Sequence, residues 1–293
     1  MKDYGLLIVD KPVGPTSHSV VNLVRKGTQI RKVGHAGTLD PRASGVLVLC
    51  LGAATRLSEY LSTSIKCYEA TVRFGSSTRT FDADGEVTRR TGLSPDLKQI
   101  LGLLPQFLGE IDQVPPPYSA IKIRGRKAYE MARAGETVDL VPRKVVIHRL
   151  EAKDYKAPDL SLVVECSAGT YIRSLAHDLG ERLGTGAHLT GLRRTKAGPF
   201  TLHDAVPLPK LEVAFITGKW EQHIRPAADA LPGLPEVHVD APGAERLRFG
   251  HRIPREADAA GMAKAIGPDG ELIAILEAVE GAPDWHPRKV FIG

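Results

Sequence analysis

The sequence predicts an α+β fold: a mixed or antiparallel central sheet with flanking helices, followed by a small β-rich C-terminal domain. Three observations carry this. Two segments alternate strictly, with Tyr68, Ala70, Val72 and Phe74 on one face of the first and Leu160, Leu162, Val164 and Cys166 on one face of the second, the period of half-buried strands. Helical patterns occur between strands without a regular βαβ rhythm, which argues against an all-parallel sheet. Near the C-terminus, Pro268-Asp269-Gly270 precedes the apolar run Leu272-Ile273-Ala274-Ile275-Leu276, a turn feeding a strand.

Taken in chain order, Leu6-Leu7-Ile8-Val9 reads as a short buried strand, and Asp10-Lys11-Pro12-Val13-Gly14-Pro15 turns the chain. Ser17 is placed to cap a helix carrying Val20, Leu23 and Val24. A loop over 32–44 leads into a fully buried strand over 45–51, then a short helix over 56–61. Ser94-Pro95 opens another helix, with Pro at its first position. Pro115-Pro116-Pro117 ends regular structure, and residues 174–183 are helical with Gly184 just beyond their end. Residues 226–235 hold three prolines in ten and read as a linker. That divides the chain into a domain over 1–229 and a smaller one over 234–293. So small a module buries little core and is expected to lean on the first domain.

The 293 residues are 42% hydrophobic and 25% charged, which excludes disorder, collagen and coiled coil for the whole chain. Aromatics are only 5%, too few for a surface built mainly on base stacking. Lys plus Arg number 39 against 34 Asp plus Glu, a net +5. Residues 234–293 hold 7 against 10, a net −3, so the rest carries 32 against 24, or +8, and a polyanionic partner fits that part. Cys50, Cys67 and Cys166 are scattered, with no C-x-x-C. They form neither a disulfide framework nor a zinc site and fit small buried hydrophobes in a reducing cytosol. No signal-peptide core and no bilayer-length apolar run is present.

Four stretches stand out chemically. Gly34-His35-Ala36-Gly37-Thr38-Leu39-Asp40-Pro41 is a glycine-freed loop whose proline biases Asp40 toward an extended conformation. It either aims a carboxylate into a cleft or makes a local Asx turn. In Ser167-Ala168-Gly169-Thr170-Tyr171-Ile172-Arg173, strand alternation puts Tyr171 and Arg173 on one face, as a pocket-lining ion-pair former or as a surface Arg lying on a Tyr. Residues 184–196 combine glycines with Arg193, Arg194 and Lys196, read as phosphate contacts or as a solvated strand face. Residues 117–144 carry seven Lys or Arg against three acids, a net +4, read as a mobile flap over nucleic acid or as a charged hairpin and helix. Asp82-Ala83-Asp84-Gly85-Glu86 resembles a calcium loop only faintly, since its glycine comes two positions early. No metal site, Walker A loop, dinucleotide fingerprint or G-x-S-x-G elbow is found.

In this order the stretches closely resemble the bacterial TruB-type tRNA pseudouridine synthases, which isomerise uridine 55 of the T loop. The resemblance covers about residues 4–210. It rests on G-L-L-I-V-D-K-P (5–12), G-H-A-G-T-L-D-P-R-A-S-G (34–45), T-F-D-A-D-G (80–85), P-P-P-Y-S-A-I-K (115–122), G-T-Y-I-R (169–173) and residues 184–194. The C-terminal part, with Arg288-Lys289-Val290-Phe291, is similar to the family's small RNA-binding PUA domain.

The resemblance implies a pseudouridine synthase fold and an isomerase that needs no cofactor and no metal. Asp40 matches the nucleophile, attacking either C1′ of the ribose or C6 of the uracil. Arg173 matches its guanidinium partner. Tyr68 matches the tyrosine that stacks on the base and takes part in proton transfer. Tyr171 and Leu192 match residues that wall the uracil, His35 one near the flipped nucleotide, and Lys11 with Pro12 a strand-end motif beneath the site, Lys11 being placed with the substrate-binding residues. The base must be extruded from the loop. Residues 117–144 correspond to a flap expected to be poorly ordered without RNA. The implied partner is the tRNA T arm, for a cytoplasmic monomer with no obligatory protein partner and no membrane. Two rivals stay open: a guide-RNA-dependent catalytic subunit, and a non-catalytic tRNA-folding chaperone.

Overall fold

The computed structural model describes residues 4–291 apart from 120, 124, 135, 137–139 and 257. It has the α+β composition the patterning predicts, and it divides into two compact units: Met1–Pro41 with Gly45–Ser62 and Ala197–Gly293, and Arg42–Ser44 with Thr63–Lys196.

The first unit is built on strand Gly5–Lys11. It pairs antiparallel with Ala43–Leu51 and parallel with Val206–Pro207, and Val33–His35 adds to Ala43–Leu51. The sheet is therefore mixed, and Leu6, Ile8, Val46 and Val48 are buried in its core; each such side chain contributes roughly 1.5–3 kcal/mol. Helix Ser17–Thr28 buries Ser17, Val20, Val21, Val24 and Thr28. Its N-cap is Thr16, whose Oγ1 accepts from the Ser19 amide at 3.0 Å, not Ser17. The Pro-rich segment is not a free tether: Ala227, Ala230 and Leu231 lie in the same core as Leu6 and Ile8. The C-terminal part is a five-stranded sheet, with helix Ala241–Arg248 following its first strand, Glu236–His238. As its size implies, it leans on the rest of the unit. Ile266, Leu272, Ile275 and Phe291 join that core, the Tyr4 hydroxyl donates to the Leu272 carbonyl, and Lys289 pairs with Glu59.

In the second unit, Lys66–Phe74, Asp159–Cys166, Arg143–Lys156 and Gly109–Gln113 pair antiparallel in that order. Ala70, Val72 and Phe74 are buried beside Leu160, Leu162, Val164 and Cys166, with Tyr68 packed at the margin, as alternation predicts. Helix Leu97–Leu103 is capped by Asp96 in a capping box with Gln99, two residues beyond the Ser94 start read from sequence. Helix Ile172–Arg182 begins two residues before the predicted start and takes in Arg173. The strand reading of Tyr171 and Arg173 is thus overturned: the strand ends at Cys166, and Gly169, at φ +82, reverses the chain. Within 117–144, strands Lys122–Ile123 and Arg126–Lys127 form a hairpin followed by helix Ala128–Arg133. Arg124 and Asp139, counted in its charge, lie outside the described residues.

Candidate active site

The Asp40 segment is built by fixing backbone at both its ends. Strand Val33–His35 delivers His35 opposite Leu49, and the Ala36 amide donates to the Val48 carbonyl at 2.9 Å. Ala36 and Leu39 are buried, while Asp40 is half-buried. The Ser17 hydroxyl donates to the Leu39 carbonyl at 2.9 Å and accepts from the Leu39 amide at 2.8 Å. On the other side the Gly14 amide donates to the Pro41 carbonyl at 2.8 Å. Lys11 is fully buried, and its ammonium donates to the carbonyls of Pro12 and Pro15, both at 2.9 Å. It thereby closes the turn that carries Gly14.

The second unit places the remaining residues. Tyr68 and Leu192 both pack against the core that holds Val164 and Leu189. Tyr171 precedes helix Ile172–Arg182, and its backbone is paired twice by the Gln113 carboxamide: its amide donates to Oε1 at 2.8 Å and its carbonyl accepts from Nε2 at 3.0 Å. Arg173 is only 7% exposed. Its guanidinium donates to the carbonyls of Thr80 and Tyr118, each at 3.2 Å, and lies 3.6 Å from the Asp82 carboxylate. A buried guanidinium needs such acceptors.

Asp82 was missed in the sequence, where its segment reads as a failed calcium loop. Its carboxylate also accepts from Thr80 Oγ1 and from the Asp84 amide. The turn is seated on strand Ala187–Ala197 through Leu189, whose amide donates to the Phe81 carbonyl and whose carbonyl accepts from Ala83, both at 3.0 Å. Phe81 sits at φ +63, a left-handed conformation that is costly for an aromatic residue. It stacks on His177 with ring centroids 3.8 Å apart and planes 6° from parallel. His177 is four residues beyond Arg173 on the same helix, so the stack braces the elements that carry the Asp82–Arg173 pair. Burial holds His177 below the usual imidazole range and pushes Asp178 up to about 6. Gln113 was missed as well; its only local signal is its place just ahead of the proline run.

Of the residues named from sequence, Lys11, His35 and Asp40 lie in the first unit and Tyr68, Tyr171, Arg173 and Leu192 in the second. Arg193 donates to Ser44 Oγ at 3.4 Å, whereas Arg194 is buried, so their strand does not present a uniformly solvated basic face. Among the described residues, no group of three or more His, Cys, Asp or Glu is placed to hold a metal ion, and no helix is long and apolar enough to cross a membrane.

Comparison with known proteins fixes the class. The N-terminal domain of TruB family pseudouridylate synthases matches residues 25–172, the tRNA pseudouridylate synthase B C-terminal domain 173–231, and the tRNA pseudouridine synthase II C-terminal domain 234–292. The tRNA pseudouridine synthase B of Thermobifida fusca is 44% identical over 99% of both chains. That of Ruegeria pomeroyi is 42% identical over 98% of this chain and 95% of its own. Among solved structures, an H/ACA RNP bound to a substrate RNA containing 2′-deoxyuridine superposes with a TM-score of 0.75 at 26% identity, over 99% of this chain and 86% of that one. A Cbf5-Nop10-Gar1 complex gives 0.75 at 28%, over 99% and 85%. The chain belongs to the TruB family of pseudouridylate synthases, which are isomerases.

Proposed function

We propose that this enzyme isomerises uridine 55 in the T loop of tRNA, with Asp40 as its nucleophile. The observation that carries the reading is the backbone fixation on both sides of Asp40, in a chain whose full-length relatives are tRNA pseudouridine synthase B. Pseudouridylation breaks N1–C1′ and joins C5 to C1′; C5 gives up its proton and N1 gains one, so the reaction is redox-neutral and consumes nothing. Asp40 adds to C1′ or C6 and leaves again. Arg173 supplies the positive charge that favours the ionised carboxylate, and Tyr68 stacks on the everted uracil and serves the proton transfer. Tyr171 and Leu192 wall the base, and His35 lies near the vacated stack. Lys11, with its ammonium on two carbonyls, supports the site from beneath.

Extruding the base costs a few kcal/mol, offset by pocket and phosphate contacts. Residues 117–144, whose described part is a basic hairpin and helix, act as the flap over the T arm. Residues 1–229 form the catalytic domain and 234–293 a PUA-like RNA-binding module. The enzyme works as a cytoplasmic monomer without a guide RNA or protein partner; full-length identity to the tRNA enzymes above that to the H/ACA proteins supports this over the guided reading. The test is to incubate the purified chain with unmodified tRNA and map pseudouridine. Conversion at position 55 is expected, with a loss on the order of 10⁴-fold in Asp40→Asn at unchanged tRNA affinity. Conversion elsewhere, dependence on an added guide, or an active Asp40→Asn refutes it.

A further inference from the structure

We propose that Ser17 is a positioning residue for the isomerisation, holding in place the peptide that presents Asp40. The inference rests on Asp40 being the nucleophile. Ser17 is the first residue of helix Ser17–Thr28, yet the capping bond is made by Thr16. The Ser17 side chain, only 2% exposed, instead reaches a residue 22 positions away in sequence and pairs with both backbone groups of Leu39. One hydroxyl donating to a carbonyl and accepting from the amide of the same residue ties both of its backbone groups to a single side chain and restrains its backbone. The Leu39 side chain, 3% exposed, adds a third anchor.

Pro41, on the far side of Asp40, restricts the aspartate to extended backbone, and its carbonyl is held by the Gly14 amide. Gly14 has φ +116, and a Cβ there would meet nothing within 4 Å; only backbone conformation bars a side chain. Asp40 thus stands between two neighbours whose backbone is pinned. A nucleophile that must add to and leave a base everted from RNA gains from such prior fixation, because displacement of about 1 Å costs as much as 100-fold in rate.

Ser17→Ala removes both hydrogen bonds and tests the assignment in single-turnover assays on unmodified tRNA. The rate at saturating tRNA is expected to fall about 10- to 100-fold, with tRNA affinity within about twofold of the parent. Thr28→Ala is the control. It deletes another buried hydroxyl of the same helix, bonded to Val24, and is expected to lower the melting temperature while leaving the saturating rate intact. Gly14→Ala strains the other bracket without deleting a polar group and is expected to show the same loss of rate at kept affinity. It decides the matter if Ser17→Ala melts below the assay temperature. A Ser17→Ala enzyme within twofold of the parent rate, one impaired only through tRNA binding, or one no slower than Thr28→Ala overturns the proposal. Such a result beside an inactive Asp40→Asn condemns the clamp alone; an active Asp40→Asn condemns the nucleophile reading.

Discussion

At Leu39 a serine hydroxyl pairs with both backbone groups of the residue just ahead of Asp40; at Tyr171 the Gln113 carboxamide makes the equivalent pair of bonds two residues ahead of Arg173. The surroundings differ. The Tyr171 segment has several further ties: the Ser167 amide donates to the Val146 carbonyl, Ser167 Oγ accepts from the Val146 amide, Thr170 Oγ1 donates to the Ser167 carbonyl, and Ser174 Oγ donates to the Val114 carbonyl. A helix then takes over. In the Asp40 segment the Ser17 hydroxyl, the Gly14 amide and the buried Leu39 side chain are the ties that flank the aspartate itself. Loops carry function when a scaffold fixes them; the Tyr171 segment is fixed redundantly, so a single substitution among its ties should be felt less than Ser17→Ala at Leu39.

The sharpest probe of the redundant side is Arg173→Lys. An ammonium cannot reproduce a planar fork that serves two carbonyls and a carboxylate, so the saturating rate should fall about 100-fold or more; single-turnover kinetics on unmodified tRNA check this. Asp82→Asn keeps the shape and removes the charge beside that guanidinium, for an expected loss of about 10-fold in the same assay. Gln113→Ala should cost less than about 10-fold, because the other ties still hold the turn. A loss exceeding that of Ser17→Ala would break the comparison.

The smallest effect is a pH effect on stability. Burial raises the Asp178 carboxyl from 3.8 to about 6, so the folded state binds the proton more tightly than the unfolded chain does. Its contribution is therefore fully present below pH 3.8 and is lost as pH rises through about 6. Relative to the parent, Asp178→Asn should gain stability across that window, levelling off at about 1–3 kcal/mol; paired thermal melts at several pH values measure it.

What the sequence disclosed follows from how far apart the interacting groups lie. The faces of the Tyr68 and Leu160 strands are set by period two, and the structure buries them as read. Ser17 reads as the cap, whereas Thr16 makes that bond and the Ser17 hydroxyl goes to Leu39, which no local window contains. Gly-Thr-Tyr-Ile-Arg alternates like a strand, and the turn at Gly169 with the Gln113 clamp makes it a helix start. Asp82 looked spent because its partner Arg173 is remote in sequence. Three prolines suggested a tether, while the alanines between them fill a core.

That core joins the earliest described strand to the final strands, with Thr63–Lys196 forming a compact body of its own between them. During translation the intervening body can condense as soon as it leaves the ribosome, whereas the core around Leu6 and Ile8 is complete only once Leu272 and Phe291 have emerged. Until then part of that apolar core stands uncovered on the nascent polypeptide, and chaperone occupancy should concentrate there.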